Sequence, residues 1–296
     1  MPIGHIISSE KDRYAIATAG AEGETIRYAK GRGVFREKDV RPMVGDYVEW
    51  VQEENALEGT ITRVLPRKNA LVRPPVANVD QVLVVQTLVE PEVNALQLDR
   101  LLAVLEIRAF PIVLCFNKID RVDEGSLKAW VKRYALAGYP IFAINAVTGE
   151  NVGPLGDALR GKVTAIAGPS GAGKSTLIRR LSGETSIAIG DLSKKTSRGR
   201  QTTRTSRLFT IGPASYIFDT PGFSSLDLRD FSTPDSLALA FPEIRRLVGQ
   251  CRFRDCTHRK EPDCAVKRAV EAGEMDAVRY ASYRTLYQMI EEAHTY

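Results

Sequence analysis

The chain of 296 residues carries 41 Lys plus Arg against 36 Asp plus Glu, a formal net charge of +5, with 44% apolar and 26% charged residues. That length suits about two ordinary domains, or three if some are small, and the composition excludes disorder, collagen and coiled coil for the chain as a whole. No apolar run nears the ~20 residues of a bilayer-spanning helix, and residues 1–13 hold His5, Glu10 and Asp12 but no apolar signal core, so a cytoplasmic protein without membrane contact is expected.

Residues 1–72 read as short strands over 4–8, 14–18, 25–29, 47–51 and 59–65, punctuated by Gly31, Gly33 and Gly45. Five short strands in that span predict a small closed barrel of the OB type. Pro66, Pro74 and Pro75 mark the stretch around 67–75 as a linker. From Val79 the pattern alternates: strand 82–88, helix 96–108, strand 112–116, helix 127–137, strand 141–145, a short helix, strand 163–167, a helix from Lys174, and strands 208–211 and 216–218. Such alternation predicts a mostly parallel, doubly wound sheet. Beyond Asp235 the chain reads as helical, passes a Cys/His cluster and ends in a charged helix. The expected division is an N-terminal OB-like β-barrel over 1–72, a central α/β P-loop domain over 73–235 and a C-terminal helical, zinc-binding domain over 236–296.

Gly168-Pro169-Ser170-Gly171-Ala172-Gly173-Lys174-Ser175 fits the P-loop pattern GxxxxGK[ST]. Glycines let backbone N–H groups converge on phosphates at a helix N-terminus; Lys174 would reach the β/γ-phosphates, the Ser175 hydroxyl would ligate Mg²⁺, and Thr176 extends the binding set. Asn117-Lys118-Ile119-Asp120 follows a predicted strand, where α/β proteins bind ligands. An Asp carboxylate there accepts from guanine N1–H and its 2-amino group, and adenine offers no such pair. Asn117 would tie base to loop, the Lys118 stem would cover the purine, and Asn145-Ala146-Val147 is a candidate for the remaining base-binding loop. Asp219-Thr220-Pro221-Gly222 follows another strand; Asp219 would hold Mg²⁺ and the Gly222 N–H would meet the γ-phosphate. Thr202 and Thr203 lie between the P-loop and this motif, and Thr203 is the preferred candidate to close over Mg²⁺. Together these motifs select GTP. Their order is permuted, because Asn117 precedes Gly168 by 51 residues, whereas the ordinary order places the P-loop first.

Cys251, Cys256, His258 and Cys264 supply three thiolates and an imidazole, the closed set of one structural Zn²⁺. Redox chemistry is the alternative, without a C-x-x-C in its support. Cys115 sits in an apolar run and reads as a core residue. Two basic runs stand out: Lys194, Lys195, Arg198, Arg200, Arg204 and Arg207 without an acid among them, and Arg245, Arg246, Arg252, Arg254, Arg259 and Lys260 with only Asp255 between. Solvated loops are the plain reading; both runs together point to phosphate-rich partners. Tyr14, Tyr28, Phe35 and Tyr47 are either barrel core or platforms for bases.

The barrel, the segment Arg73-Pro74-Pro75-Val76-Ala77-Asn78-Val79-Asp80-Gln81, the permuted NKxD/P-loop/DTPG order and the spacing Cys-x4-Cys-x-His-x5-Cys make the chain, essentially end to end, resemble the ribosome small-subunit-dependent GTPase A (RsgA/YjeQ) family. That resemblance implies hydrolysis of GTP to GDP in late maturation of the small (30S) ribosomal subunit, binding to its 16S rRNA, and stimulation by the subunit. Two departures are visible. Gly199-Arg200-Gln201-Thr202-Thr203 places Gln201 where the family typically has a His proposed to assist hydrolysis, and Asn145 replaces the family's usual Ser. Phe223 after Gly222 agrees with the family's hydrophobic substitution for a water-orienting Gln. Lys174, Gln201 and Thr203 form the expected catalytic set, with Gln201 positioning the attacking water, in a monomer. A nucleotide-gated RNA-binding assembly chaperone with negligible turnover is the alternative; a small-molecule kinase using ATP conflicts with Asn117 and Asp120.

Overall fold

The computed structural model describes residues 1–10, 12–20, 23–31, 41–52, 56–71, 75–183, 207–219 and 231–294. They gather into two compact units, one of Met1–Asp80, Leu155–Ile166 and Lys174–Phe223, the other of Gln81–Pro154, Ala167–Gly173 and Ser224–Tyr296.

In the first unit, alternation of buried and open side chains along β4 (Tyr47–Val51) and β5 (Gly59–Val64) marks strands with one face on a core. They join β1 (Ile3–Glu10), β2 (Arg13–Gly20) and β3 (Gly23–Gly31) in the order β1-β2-β3-β5-β4, and β4 returns to β1 through Ile3↔Glu49, Gly4↔Val48 and His5↔Tyr47. All neighbours are antiparallel except β3 and β5. The result is the expected closed five-stranded barrel, filled by Ile6, Ile16, Val48, Trp50 and Ile61.

The stretch read as a linker is instead built into this unit. Asp46, wholly buried, accepts from Arg67 Nε at 2.7 Å and Nη2 at 2.9 Å, and Nη2 also donates to the Arg41 carbonyl at 2.7 Å. β6 (Ala70–Leu71) and β7 (Val76–Ala77) pair antiparallel. Asn69 Nδ2 donates to the Val79 carbonyl at 2.8 Å while its Oδ1 accepts from the Val79 N–H at 2.9 Å. Asn78 Nδ2 donates to the Gly45 carbonyl at 2.8 Å. Gly45 has φ +91° and would place a Cβ 2.0 Å from the Ala77 carbonyl oxygen, so both backbone conformation and space demand glycine there. The sequence misses all of this because the partners of Arg67 and Asn78 lie 21 and 33 residues away.

The same unit holds β11 (Val163–Ala167), whose residues 163–166 run parallel to β13 (Ser215–Asp219), and β12 (Arg207–Gly212), antiparallel to β13. Asp80 Oδ2 accepts from the Val163 N–H at 2.8 Å. Ser8 of β1 pairs with Arg207 of β12. Near that junction His5 stacks on Tyr47, with centroids 4.7 Å apart, and meets the edge of Tyr216 at 5.0 Å.

The second unit is built on β8 (Gln81–Thr87), β9 (Ile112–Asn117) and β10 (Ile141–Ile144), all parallel. Every residue of β8 and β9 is buried, the continuous pattern of strands covered on both faces. Helix α1 (Ala95–Ile107) starts at Asn94, whose side chain accepts from the Gln97 N–H, and α2 (Glu124–Ala135) starts at Asp123, which accepts from the Ser126 N–H. Most of α3 (Val152–Leu159) and all of α4 (Lys174–Ser182) belong to the first unit, while α5 (Pro242–Arg245), α6 (Ala265–Glu271) and α7 (Ala277–His294) complete the second. No described helix is long and apolar enough to cross a membrane.

α7 is fixed by a buried charge. Arg279 donates through Nη1 to Asp99 of α1 at 2.6 Å, through Nη2 to Glu243 of α5 at 3.0 Å, and through Nε to the same carboxylate. Phe241 and Tyr134 lie 4.9 and 5.1 Å from its guanidinium carbon. Burial opposes the charge of Arg279, but the two carboxylates hold the guanidinium protonated, while burial pushes the Asp99 carboxyl up. Arg133 adds an ion pair to Asp276 at 3.0 Å.

His5 sets a pH dependence for the first unit. Burial lowers its pKa to about 4, against the hydrogen bond with the Gly45 backbone and the Asp80 charge, and its Nε2 has no partner among the described residues. The unfolded chain, with a His pKa near 6.5, therefore binds more protons than the folded one between pH 6.5 and 4. Stability contributed by neutral His5 is complete above 6.5 and falls by about 3 kcal/mol on acidification to pH 4. Urea titrations across this window should show a smaller pH slope for His5→Phe than for the parent; equal slopes contradict the assignment.

Candidate functional site

β9 ends at Asn117, and the chain turns through Lys118 in the left-handed region at φ 62°. The turn brings the predicted base-binding residues together. Asn117, 3% exposed, donates from Nδ2 to the Ala172 carbonyl at 2.9 Å and accepts at Oδ1 from the Ala146 N–H at 3.0 Å. One amide thus fastens the NKxD loop to the P-loop and to the loop after β10. Nothing in the sequence signals that the Asn117 side chain joins these loops to one another. Asn145 donates from Nδ2 to Asp120 Oδ1 at 2.9 Å, and its own Oδ1 accepts from the N–H groups of Val147 and Thr148 at 2.9 and 3.1 Å. It therefore orients the Asp120 carboxylate, whose side chain is 51% exposed, and leaves it accessible.

The 168–173 loop fits tightly against these elements. Gly168, at φ +137°, would set a Cβ 2.0 Å from the Val85 carbonyl oxygen, and Gly173, at φ +86°, would set one 2.3 Å from Asn117 Nδ2. Space and backbone conformation both restrict these positions to glycine. Pro169 and Ser170 lie on the outer turn, Gly171 comes within contact of Pro91, and the chain continues directly into α4, headed by Lys174, Ser175 and Thr176. A glycine-rich turn that runs at once into a helix is an anion-binding arrangement.

The sequence reading did not find Glu90 or Arg121 as neighbours of this site. The Lys118 ammonium donates to the Glu90 carbonyl at 2.7 Å, and Arg121 Nη1 reaches the Glu90 carboxylate at 2.8 Å. Their separations of 28 and 31 residues give no local signal. Gln201, Thr203 and Gly222 lie outside the described residues, as does the first basic run up to Arg204; Asp219 is placed by its backbone at the end of β13.

A second site lies in the stretch between α5 and α6. The ligand atoms of Cys251, Cys256, His258 and Cys264 lie within 4.8 Å of one another. His258 Nδ1 is 3.4 Å from Cys251 Sγ and 3.5 Å from Cys264 Sγ, and the His258 ring is buried. This is a cluster fit to hold a metal, with soft thiolates and an imidazole as donors. Glu261 shapes the loop that carries His258: its carboxylate accepts from the N–H groups of Thr257, Arg259 and Lys260, each at 3.0 Å, and from the Thr257 hydroxyl. Burial works against that charge, yet the Thr257 hydroxyl and the backbone N–H groups bring its pKa down to about 2. Tyr280 and Tyr283 of α7 donate to the His258 and Thr257 carbonyls at 2.8 and 3.0 Å.

The second basic run is largely engaged within the protein. Arg245 pairs with Glu106 at 3.0 Å, Arg246 donates to the Ala137 carbonyl at 3.0 Å, Arg252 pairs with Asp263 at 2.8 Å, and Arg259 pairs with Glu291 at 3.0 Å. Of the aromatic candidates on the barrel, Tyr14 is core, Tyr47 stacks on His5, Tyr28 lies under the Arg13 guanidinium at 4.1 Å, and Phe35 is outside the described residues. Cys115 is wholly buried, as expected, and burial pushes its thiol pKa up.

Two family models match the chain, "RsgA N-terminal domain" over residues 3–61 and "RsgA GTPase" over residues 64–229. The chain is 40% identical over 295 residues to the small ribosomal subunit biogenesis GTPase RsgA of Bacillus anthracis, covering 99% of this chain and 98% of the relative. It is 42% identical over 264 residues to the protein of the same name from Clostridium beijerinckii, covering 89% and 90%. Among solved structures, YloQ, described as a circularly permuted GTPase, matches with TM-score 0.81 and 32% identity over 99% of this chain and 96% of that one. YjeQ from Thermotoga maritima matches with TM-score 0.79 and 34% identity over 98% of each.

Replacing Asn117 by Ala removes both loop-to-loop hydrogen bonds at a buried position, a loss of about 1–3 kcal/mol. The unfolding midpoint should fall, and nucleotide affinity should fall with it. Asn117→Ala with unchanged nucleotide affinity would contradict the role of this amide as the fastener of the site.

Proposed function

The chain belongs to the RsgA family of GTPases, and from that premise we propose that it hydrolyses GTP to GDP in the maturation of the small (30S) ribosomal subunit. The observation that carries the reading is the convergence of Asn117, Asp120, Asn145 and Ala146 on the 168–173 loop. A half-open carboxylate held by Asn145 is suited to the paired donors on one edge of guanine, which selects GTP over ATP.

By motif, the N–H groups of Gly168, Pro169's successor Ser170, Gly171, Ala172 and Gly173 cradle the phosphates, with Lys174 on the β/γ-phosphates and Thr176 beside them. Ser175, Thr203 and Asp219 are the proposed Mg²⁺ ligands; the ion would neutralise charge developing on the transferred phosphoryl group. Gly222 donates its N–H to the γ-phosphate, Lys118 covers the base, and Gln201 orients the attacking water. Asn145 supports this assignment despite its departure from Ser, because it makes the bond to Asp120 that a base-binding loop needs. We divide the chain functionally at 1–72, 73–235 and 236–296, a division supported by closure of the barrel at Val64 and by the family matches. The partners are the small subunit with its 16S rRNA and GTP or GDP, met as a monomer in the cytoplasm.

The test is steady-state phosphate release from GTP and ATP, with and without purified small subunits, at two salt concentrations. GTP-selective release that the subunits stimulate, less so at high salt, is expected, and Gln201→Ala should lose most of the stimulated rate. Stimulation that is absent despite tight nucleotide-dependent binding would favour a nucleotide-gated binding factor instead.

For the Cys₃His cluster we propose one structural Zn²⁺, since four protein donors leave no open position for catalysis. Binding of zinc to such a set contributes about 10–16 kcal/mol of apparent folding energy in finger peptides. Elemental analysis should give one zinc per chain, and chelation should open residues 240–270 to protease before the rest. Unchanged protease sensitivity there after metal removal contradicts a structural metal.

A further inference from the structure

The charge of the metal-binding module is nearly spent. Between Cys251 and Cys264 stand Arg252, Arg254, Arg259 and Lys260 against Asp255, Glu261 and Asp263, and three thiolates around a divalent ion add one negative charge. Arg252 and Arg259 are paired to Asp263 and Glu291, and Lys260 lies in the field of Glu291. A module so balanced attracts phosphates weakly. What it does present is an apex: Arg252, Phe253 and Arg254 are consecutive and exposed, with Phe253 41% open to solvent. Phe253 is flanked by arginines on both sides in the sequence.

Three features at this apex agree in kind. The Arg252 guanidinium carbon lies 5.6 Å from the centre of the Phe253 ring, and Asp263 anchors that guanidinium at 2.8 Å, so one edge of the aromatic platform is held. Arg254 has no partner among the described residues and follows directly in the chain. Cys251 and Cys256 bound the loop at either side, so a metal on the cluster would fix both of its ends. An exposed ring, an anchored guanidinium and an unspent cation are the chemistry that receives an unpaired nucleobase, by stacking on the ring and by a contact to the adjoining phosphate.

We propose that the 252–254 apex is a recognition element for single-stranded RNA, with Phe253 stacking on one unpaired base and Arg254 on the neighbouring phosphate. It rests on the reading that the protein binds the small subunit, and it moves the contact from the basic run as a whole to these residues. Arg245, Arg246 and Arg259, whose guanidinium groups are committed within the protein, are not part of it.

The test uses the full chain with its metal, a twelve-nucleotide RNA without self-complementarity, the same sequence as a duplex, and purified small subunits. Stacking contributes about 1–3 kcal/mol per base, so Phe253→Ala should weaken binding of the single strand about 5- to 150-fold while leaving duplex binding alone. Because stacking releases no counterions, the slope of log K against log salt should stay as in the parent; Arg254→Ala should instead lower that slope by about 0.7, one phosphate on a single strand. Phe253→Trp should bind at least as tightly as the parent, and Phe253→Leu should behave like Ala. Parental affinity in Phe253→Ala or in Phe253→Leu overturns the stack. A loss on small subunits without a loss on the single strand overturns RNA as the partner and makes the apex a protein contact. If the parent itself fails to bind small subunits, the reading under Proposed function falls as well; if the parent binds and is stimulated while Phe253→Ala matches it, the apex alone falls.

Discussion

The loops after β9 and β10 and the 168–173 loop are held together by the side-chain amide of Asn117, which donates to one loop and accepts from another at a position almost without solvent. An amide offers a donor and an acceptor on two separate atoms without charge, and either ionised or apolar replacements would leave a buried backbone group unmatched. The rest of the site is arranged around that fact. Gly173 must lack a Cβ because the Asn117 nitrogen occupies its place, the Ala172 carbonyl must point inward to receive it, and the loop after β10 must pass close enough for the Ala146 N–H to reach it. Asn145, next in line, then aims Asp120.

The permuted order makes this fastener long-range. Asn117 and Ala172 are 55 residues apart, with β10 and α3 between them, so the loops meet only when the strands are already in register. Helix α1 enters the same arrangement from another direction. The loop before it carries Glu90, which receives Lys118 and Arg121, and the helix itself carries Asp99, which receives Arg279 of α7. Helix α7 and the loop after β9 are thus both attached near the N-terminal end of one helix, within a single unit. The attachment at the α7 end is no surface ion pair: removing one partner from the Arg279 group would leave charge buried without compensation, at about 3–5 kcal/mol.

The strands, the helices and the four zinc-type ligands were legible because each follows a short-range rule: alternation for the barrel, continuous apolar runs for β8 and β9, fixed spacing for the P-loop and the Cys₃His set. The barrel's closure was legible as a class, while its clasp was not, since Arg67 and Asp46 look like ordinary surface charges until the chain brings them together. The reading of 67–75 as a linker failed for that reason. Proline content describes backbone freedom, and it says nothing of two asparagines whose side chains bond the backbone at Val79 and at Gly45. The second basic run was legible as charge but not as partners, because Glu106, Asp263 and Glu291 are scattered through the sequence. Asn145 was noticed as a departure from the family; its bond to Asp120, 25 residues away, had no signal in the sequence.

Asp99 and Arg279 are 180 residues apart, and this has a consequence for the order in which the protein is made. While the chain emerges from its N-terminal end, the first unit's barrel can close early, since its strands lie within the first 64 residues. Helix α1 appears soon afterwards with a carboxylate on its buried face and no counter-ion for it. Until residue 279 has been synthesised, that helix cannot settle against its final neighbours without burying an uncompensated charge, and Glu243 faces the same wait. The second unit is therefore completed last, by α7, and shortened chains would leave both carboxylates without their counter-ion.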